Sequence, residues 1–182
     1  MAATFAFDRD SGAATGSPAH GTVTTGGVTD VNWKAVTTEG TAYTASSIVD
    51  PGNSVENWLF GHFSGTYNQI SAGLFSHTAT VFGTGLTLKG VKAMTADGDN
   101  LTYTTPSQSA NANLTTNMTA VTAIVSGVAV WFGATSPQAT GKAATMTTNP
   151  CYTNYLTTQL QVSGASAGDT AQVTLTVQYN EN

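Results

Sequence analysis

The clearest hydrophobic pattern in the chain lies near its end. Val173, Leu175, Val177 and Tyr179 alternate with Thr174, Thr176 and Gln178. Period-2 patterning rich in β-branched residues predicts a strand with one face buried and one wet. Leu156, Leu160 and Val162 share one parity just upstream, with Thr and Gln between them, and a Gly- and Ser-rich connector follows. The spacing predicts a long terminal hairpin over 155–179. A lone hairpin is unstable in water, so it calls for a sheet partner from upstream.

The densest apolar segment is VENWLFGHFSGTYNQI at 55–70. It carries Trp58, Leu59, Phe60, Phe63, Tyr67 and Ile70, and reads as a central strand. Gly61 and Gly65 mark places where another backbone or a large ring comes close. A pairing of the final strand with this segment is one arrangement that satisfies both. Residues 28–34 suggest a short strand turning Trp33 inward, and Asp50-Pro51-Gly52-Asn53 is a strong turn signal. Further short strands are expected at 74–82 and around Leu86, Leu88 and Met94. Another follows the Asp97-Gly98-Asp99-Asn100 turn at Leu101 and Tyr103. Residues 105–117 read as polar linker, 121–132 as two strands or one broken at Gly127, and 136–150 as loop.

Eight to ten short strands between Gly, Pro, Asn and Ser turns predict an all-β fold, a β-sandwich with the jelly roll as candidate topology. That domain would span 31–182. Residues 1–30 hold Phe5 and Phe7 and then a Gly-, Ser- and Thr-rich run, which cannot build a core of its own. They read as an extended N-terminal arm, either a loose leader or a segment that orders against a neighbouring subunit with the two phenylalanines as anchors.

Composition narrows the picture. The chain has 182 residues, enough to bury roughly 70% of its extended surface. Only 8% are charged and the net charge is −5, while 40% are hydrophobic, which argues against disorder. Five basic residues against ten acidic ones leave no electrostatic footprint for nucleic acid or anionic lipid. No run is long enough for a membrane helix, and the N-terminus lacks the marks of a signal peptide. Production or assembly in a cytoplasm is the expectation, which makes Asn-x-Ser/Thr at Asn100, Asn113 and Asn117 incidental.

Candidate chemistry is sparse. The single cysteine, Cys151, excludes an intrachain disulfide framework and reads as an inert, partly buried residue. His20, His62 and His77 show no shared metal spacing. His62 lies in an apolar strand, where a hydrogen-bonded core histidine is the default. The Asp97–Asp99 turn lacks the ligand spacing and terminal Glu of a calcium loop. Zinc-protease, P-loop and dinucleotide motifs are absent. Trp33, Trp58 and Trp131 sit among apolar neighbours and read as core. No enzyme, cofactor or metal is expected.

Three segments together resemble tailed-bacteriophage virion structural proteins. They are NWLFGHFSGTYNQI at 57–70, the Tyr103-Thr104-Thr105-Pro106 step, and an ending in which CYTNYLTTQLQV precedes a Gly-Asp turn and VTLTVQYNE. The resemblance spans residues 30–182. Members often end on an aromatic and acidic pair, and Tyr179-Asn180-Glu181 places Asn where Asp is common. The resemblance implies a small β-sandwich on the particle, without catalytic residues. The leading expectation is a capsid decoration (cement) protein on the virion surface, assembled in the host cytoplasm. Its partners would be the major capsid protein and further copies of itself, with Phe5 and Phe7 as contact residues. A neck or tail component and a carbohydrate-binding module are the alternatives.

Overall fold

The computed structural model describes residues 2–25, 28, 31–37, 46–77, 83–90, 101–118, 128–136, 143–166 and 174–182. Met94, the Asp97–Asn100 turn, Gly127 and most of the 121–132 strand expectation lie outside them. The described residues form antiparallel β-structure and contain no helix. The fold is all-β.

Three sheets surround a shared apolar core. In the first, β1 (Ala3–Thr15) lies between β2 (His20–Thr24) and β4 (Trp58–Gly65), and β4 pairs onward to β11 (Cys151–Thr153) and then β9 (Phe132–Gly133). In the second, β12 (Thr158–Val162) lies between β3 (Gly52–Asn53) and β6 (Leu86–Gly90), and β6 also holds β7 (Thr116–Asn117). In the third, β5 (Ile70–His77) pairs with β13 (Leu175–Glu181), β10 (Thr145–Met146) and β8 (Val128–Ala129).

The segment expected to be central is central. β4 is paired on both sides, and both of its faces are covered, which is why its sequence is apolar at nearly every position instead of alternating. Leu59 and Phe63 face the shared core, while Trp58 and Phe60 face a second, aromatic cluster. At Gly61 a Cβ would meet the Phe5 ring at 2.7 Å and the Thr153 methyl at 2.9 Å. The glycine is there because a ring packs onto the strand.

Two expectations change. The stretches 156–162 and 174–179 do not form a hairpin. β12 pairs with β6 over five consecutive residues, from Thr158 opposite Gly90 to Val162 opposite Leu86, whereas β13 pairs with β5. The connection between them is far longer than a tight hairpin turn, so nothing local enforces pairing. The final strand does not pair with β4 either. It meets that strand across the core instead, with Tyr179 edge-on to Phe63 at 4.8 Å between ring centroids.

The N-terminal residues are likewise a sheet element here. β1 runs antiparallel to β4 in unbroken register from Ala3 opposite Gly65 to Asp10 opposite Trp58. Phe5 packs on Phe7 at 4.9 Å and on Phe63 at 5.1 Å. Both phenylalanines find an apolar surface within their own chain, so residues 3–15 have no need of a neighbour to become ordered.

One run of chain links two of the sheets. Residues 151–152 pair with β4 in the first sheet. Residues 156–158 continue along β4, with Leu156 N–H bonded to Leu59 O and a mutual pair between Asn57 and Thr158. The same run then becomes β12 of the second sheet. The register slips by one residue between the two halves, and there the Thr153 hydroxyl accepts the Gly61 N–H at 2.7 Å.

Candidate functional site

Period-2 geometry sorts the first sheet into two chemically different faces. On β1, Phe5 and Phe7 turn to the shared core, and Asp8 and Asp10 turn the other way. On β4, Trp58, Phe60 and His62 join the two aspartates. Tyr152 and Tyr155 arrive from the adjoining run, and Tyr103 closes over the top. This acidic and aromatic face holds the densest group of potentially reactive side chains among the described residues.

Its carboxylates are already engaged. Asp8 and Asp10 are 0% and 1% exposed. Asp10 accepts the Tyr155 hydroxyl at 2.6 Å and the Gly21 N–H at 2.7 Å. A Cβ at Gly21 would lie 2.6 Å from the Tyr103 hydroxyl and 2.8 Å from the Asp10 carboxylate, so only glycine allows this approach. Tyr103 donates to Gly12 O at 2.7 Å. Asp8 lies 3.3 Å from His62 Nδ1, and the imidazole stacks on Tyr152 at 4.7 Å. Buried carboxylates with such partners hold strands together, since an uncompensated buried charge would be very costly.

The Asp8 carboxylate and the His62 imidazole are within ion-pair distance, and the imidazole is partly open to solvent. Among the described residues no hydroxyl or thiol is hydrogen-bonded to His62. The other histidines are remote from it. His20 bonds Gly21 O, and His77, at the end of β5, bonds Met118 O. No group of three or more His, Cys, Asp or Glu is placed for a metal ion among the described residues. Cys151 is fully buried, and burial pushes its thiol pKa up, away from the reactive thiolate.

The tyrosines carry a measurable consequence. Burial first, and then the hydrogen bond to Asp10, pushes the Tyr155 phenol far above its ordinary value of 10.0. Burial and the Asp10 charge push Tyr103 in the same direction. A raised phenol pKa favours the protonated, folded form. The stabilisation is complete below pH 10, where unfolded tyrosine is also neutral, and is lost as pH rises and the unfolded chain ionises. In an alkaline titration, tyrosinate absorbance from these residues is expected to appear together with unfolding. A free, reversible step near pH 10 with the fold intact would contradict their burial.

A second polar cluster ties down a long segment that reads from sequence as simple linker. Glu56 accepts the Ser107 N–H and the Asn111 amide. The Gln159 amide donates to Ser54 O at 3.0 Å and Ser109 O at 2.9 Å, while its oxygen accepts the Asn111 N–H. Asn53 and Gln108 exchange two bonds of 3.1 Å. Farther along, Thr105 accepts the Ala14 N–H. Residues 103–111 are thus a strap from the first sheet to the second.

Phe5 and Phe7, the expected contact residues, lie on the opposite face, against the shared core. Every described Phe, Tyr and Trp is buried or partly buried. The two aspartates were missed in the sequence, although FAFDRD at 5–10 carried the signal. Its strict alternation places aromatic residues on one face and acids on the other. No family model, curated protein or solved structure matches the chain.

Proposed function

We propose that this chain is a non-catalytic structural protein of a tailed-phage virion, a small β-sandwich that decorates the outer surface of the capsid. The observation that carries the reading is how the three segments of the family resemblance assemble. Trp58 packs on Tyr103 and on Tyr155, each at 5.1 Å, and Phe63 packs on Tyr179. Segments far apart in sequence that share a resemblance also build one framework. The contact between Phe63 and Tyr179 joins two of the sheets across the core and supports a sandwich arrangement, with a jelly roll as the finer topology of the proposal.

The chemistry is consistent with a building block. Among the described residues Asp8, Asp10, Glu56 and most aromatic rings are engaged internally, and Thr, Ser, Asn, Gly and Ala supply much of the exposed surface. Such a surface loses little solvation energy against a flat partner. Many weak contacts with the major capsid protein and with copies of itself would add through effective concentration. The contribution of residues 1–30 to docking shifts from Phe5 and Phe7 to the exposed end of the β1–β2 hairpin, where Gly12, Ala13, Ser17, Pro18 and His20 face solvent.

The test is the copy number and position of this chain in purified particles, by quantitative mass spectrometry and particle imaging. Hundreds of copies over the head are expected. A dozen or fewer at one vertex or along the tail would replace decoration with a neck or tail role. Absence from particles would remove the virion reading altogether and make glycan binding the next hypothesis.

A further inference from the structure

Trp58 and Thr157 share an unusual property. The indole Nε1 and the Thr157 Oγ1 are both buried, and neither has a hydrogen-bond partner among the described residues. The two residues are 1% and 0% exposed. They are also neighbours. The mutual bonds between Asn57 and Thr158, followed by Leu156 N–H to Leu59 O, set Trp58 directly across from Thr157 on adjoining strands. Residues opposed in this way project from the same face of the ladder, with Cβ atoms roughly 5 Å apart.

We propose that the two atoms form a binding site for one internal water molecule. An indole N–H can only donate, whereas a threonine hydroxyl can both donate and accept. A single water accepts from the indole and exchanges a bond with the hydroxyl, satisfying two groups that would each cost ~1–3 kcal/mol if left buried and unpaired. Buried waters occupy polar sites of this kind, and apolar cavities stay dry. Tyr103 and Tyr155 wall the indole off from bulk solvent. Asp10, opposite Trp58 on β1, accepts Tyr155 and Gly21 and is not bonded to the indole. The site lies where the chain passes from the first sheet toward the second.

Two measurements on the intact protein test it. The Trp58 indole proton, assigned by its disappearance in Trp58→Phe, is expected to show a rotating-frame Overhauser contact to a long-lived water. Thr157→Val keeps the shape and removes the hydroxyl. With a bridging water, it strips one anchor and leaves the indole unpaired, so the unfolding equilibrium constant should rise about tenfold. A dry site gives the opposite sign, because removing an unpartnered hydroxyl stabilises. A valine variant as stable as the parent, or more so, overturns the proposal. So does an indole proton without water contact and shifted upfield by a Tyr155 or Tyr103 ring.

Discussion

Removing residues 2–24 is expected to abolish folding of the remaining chain. β1 supplies a continuous ladder to β4 from Ala3 to Asp10, and without it the central strand of the first sheet becomes an open edge. Phe5 and Phe7 leave the core, a loss of about 3 kcal/mol even for half-buried rings. The ladder bonds add about 1 kcal/mol each. Tyr155 and His62 lose the aspartates they face. Together these losses are of the same order as the ~5–15 kcal/mol that keeps a domain of this size folded. Circular dichroism and thermal melting of the truncated chain decide the matter. An arm that merely trails from the domain would leave the β signal and the melting temperature almost unchanged.

Phe63→Ala carries the second-largest expected effect. Phe63 is fully buried and touches Phe5 of its own sheet, Phe132 of the far strand in that sheet, and Tyr179 of the third sheet. Truncating a ring in such a position costs ~3–5 kcal/mol, because the surrounding sheets cannot close over the cavity. For a chain of this length that corresponds to a fall in melting temperature of about 6–20 °C. Val36→Ala is the appropriate control. Val36 is 38% exposed, and its truncation should stay within ~0.5 kcal/mol. Equal effects from the two substitutions would mean that Phe63 does not join the sheets.

What could be read from the sequence followed the range of the forces involved. The all-β class, the central place of residues 58–65 and the role of Gly61 all arise from patterns within a few residues, and all are present in the structure. The terminal hairpin failed because alternation identifies a strand without naming its partner. Thr158 and its successors had a better one in β6, about 70 positions away. The polar pairs were harder still. Nothing near Asp10 points to Tyr155, and nothing in the composition of 103–111 distinguishes a strap from a loop until Glu56 and Gln159 are set beneath it. Residues 1–30 misled for a different reason. Gly and Ser dominate by count, and they hide a short FAFDRD alternation that is as regular as that of the final strand.

The run from residue 151 to 162 has a consequence for motion. Because one stretch of backbone belongs first to one sheet and then to the next, neither sheet can open without disturbing its neighbour. Local opening therefore gives no route to the amides of this stretch. Their protons should exchange with solvent at the slowest rate in the molecule, set by loss of the whole structure, and a slow-exchanging band should appear on both sides of the crossing. A protein built this way yields to load as one body instead of peeling sheet by sheet.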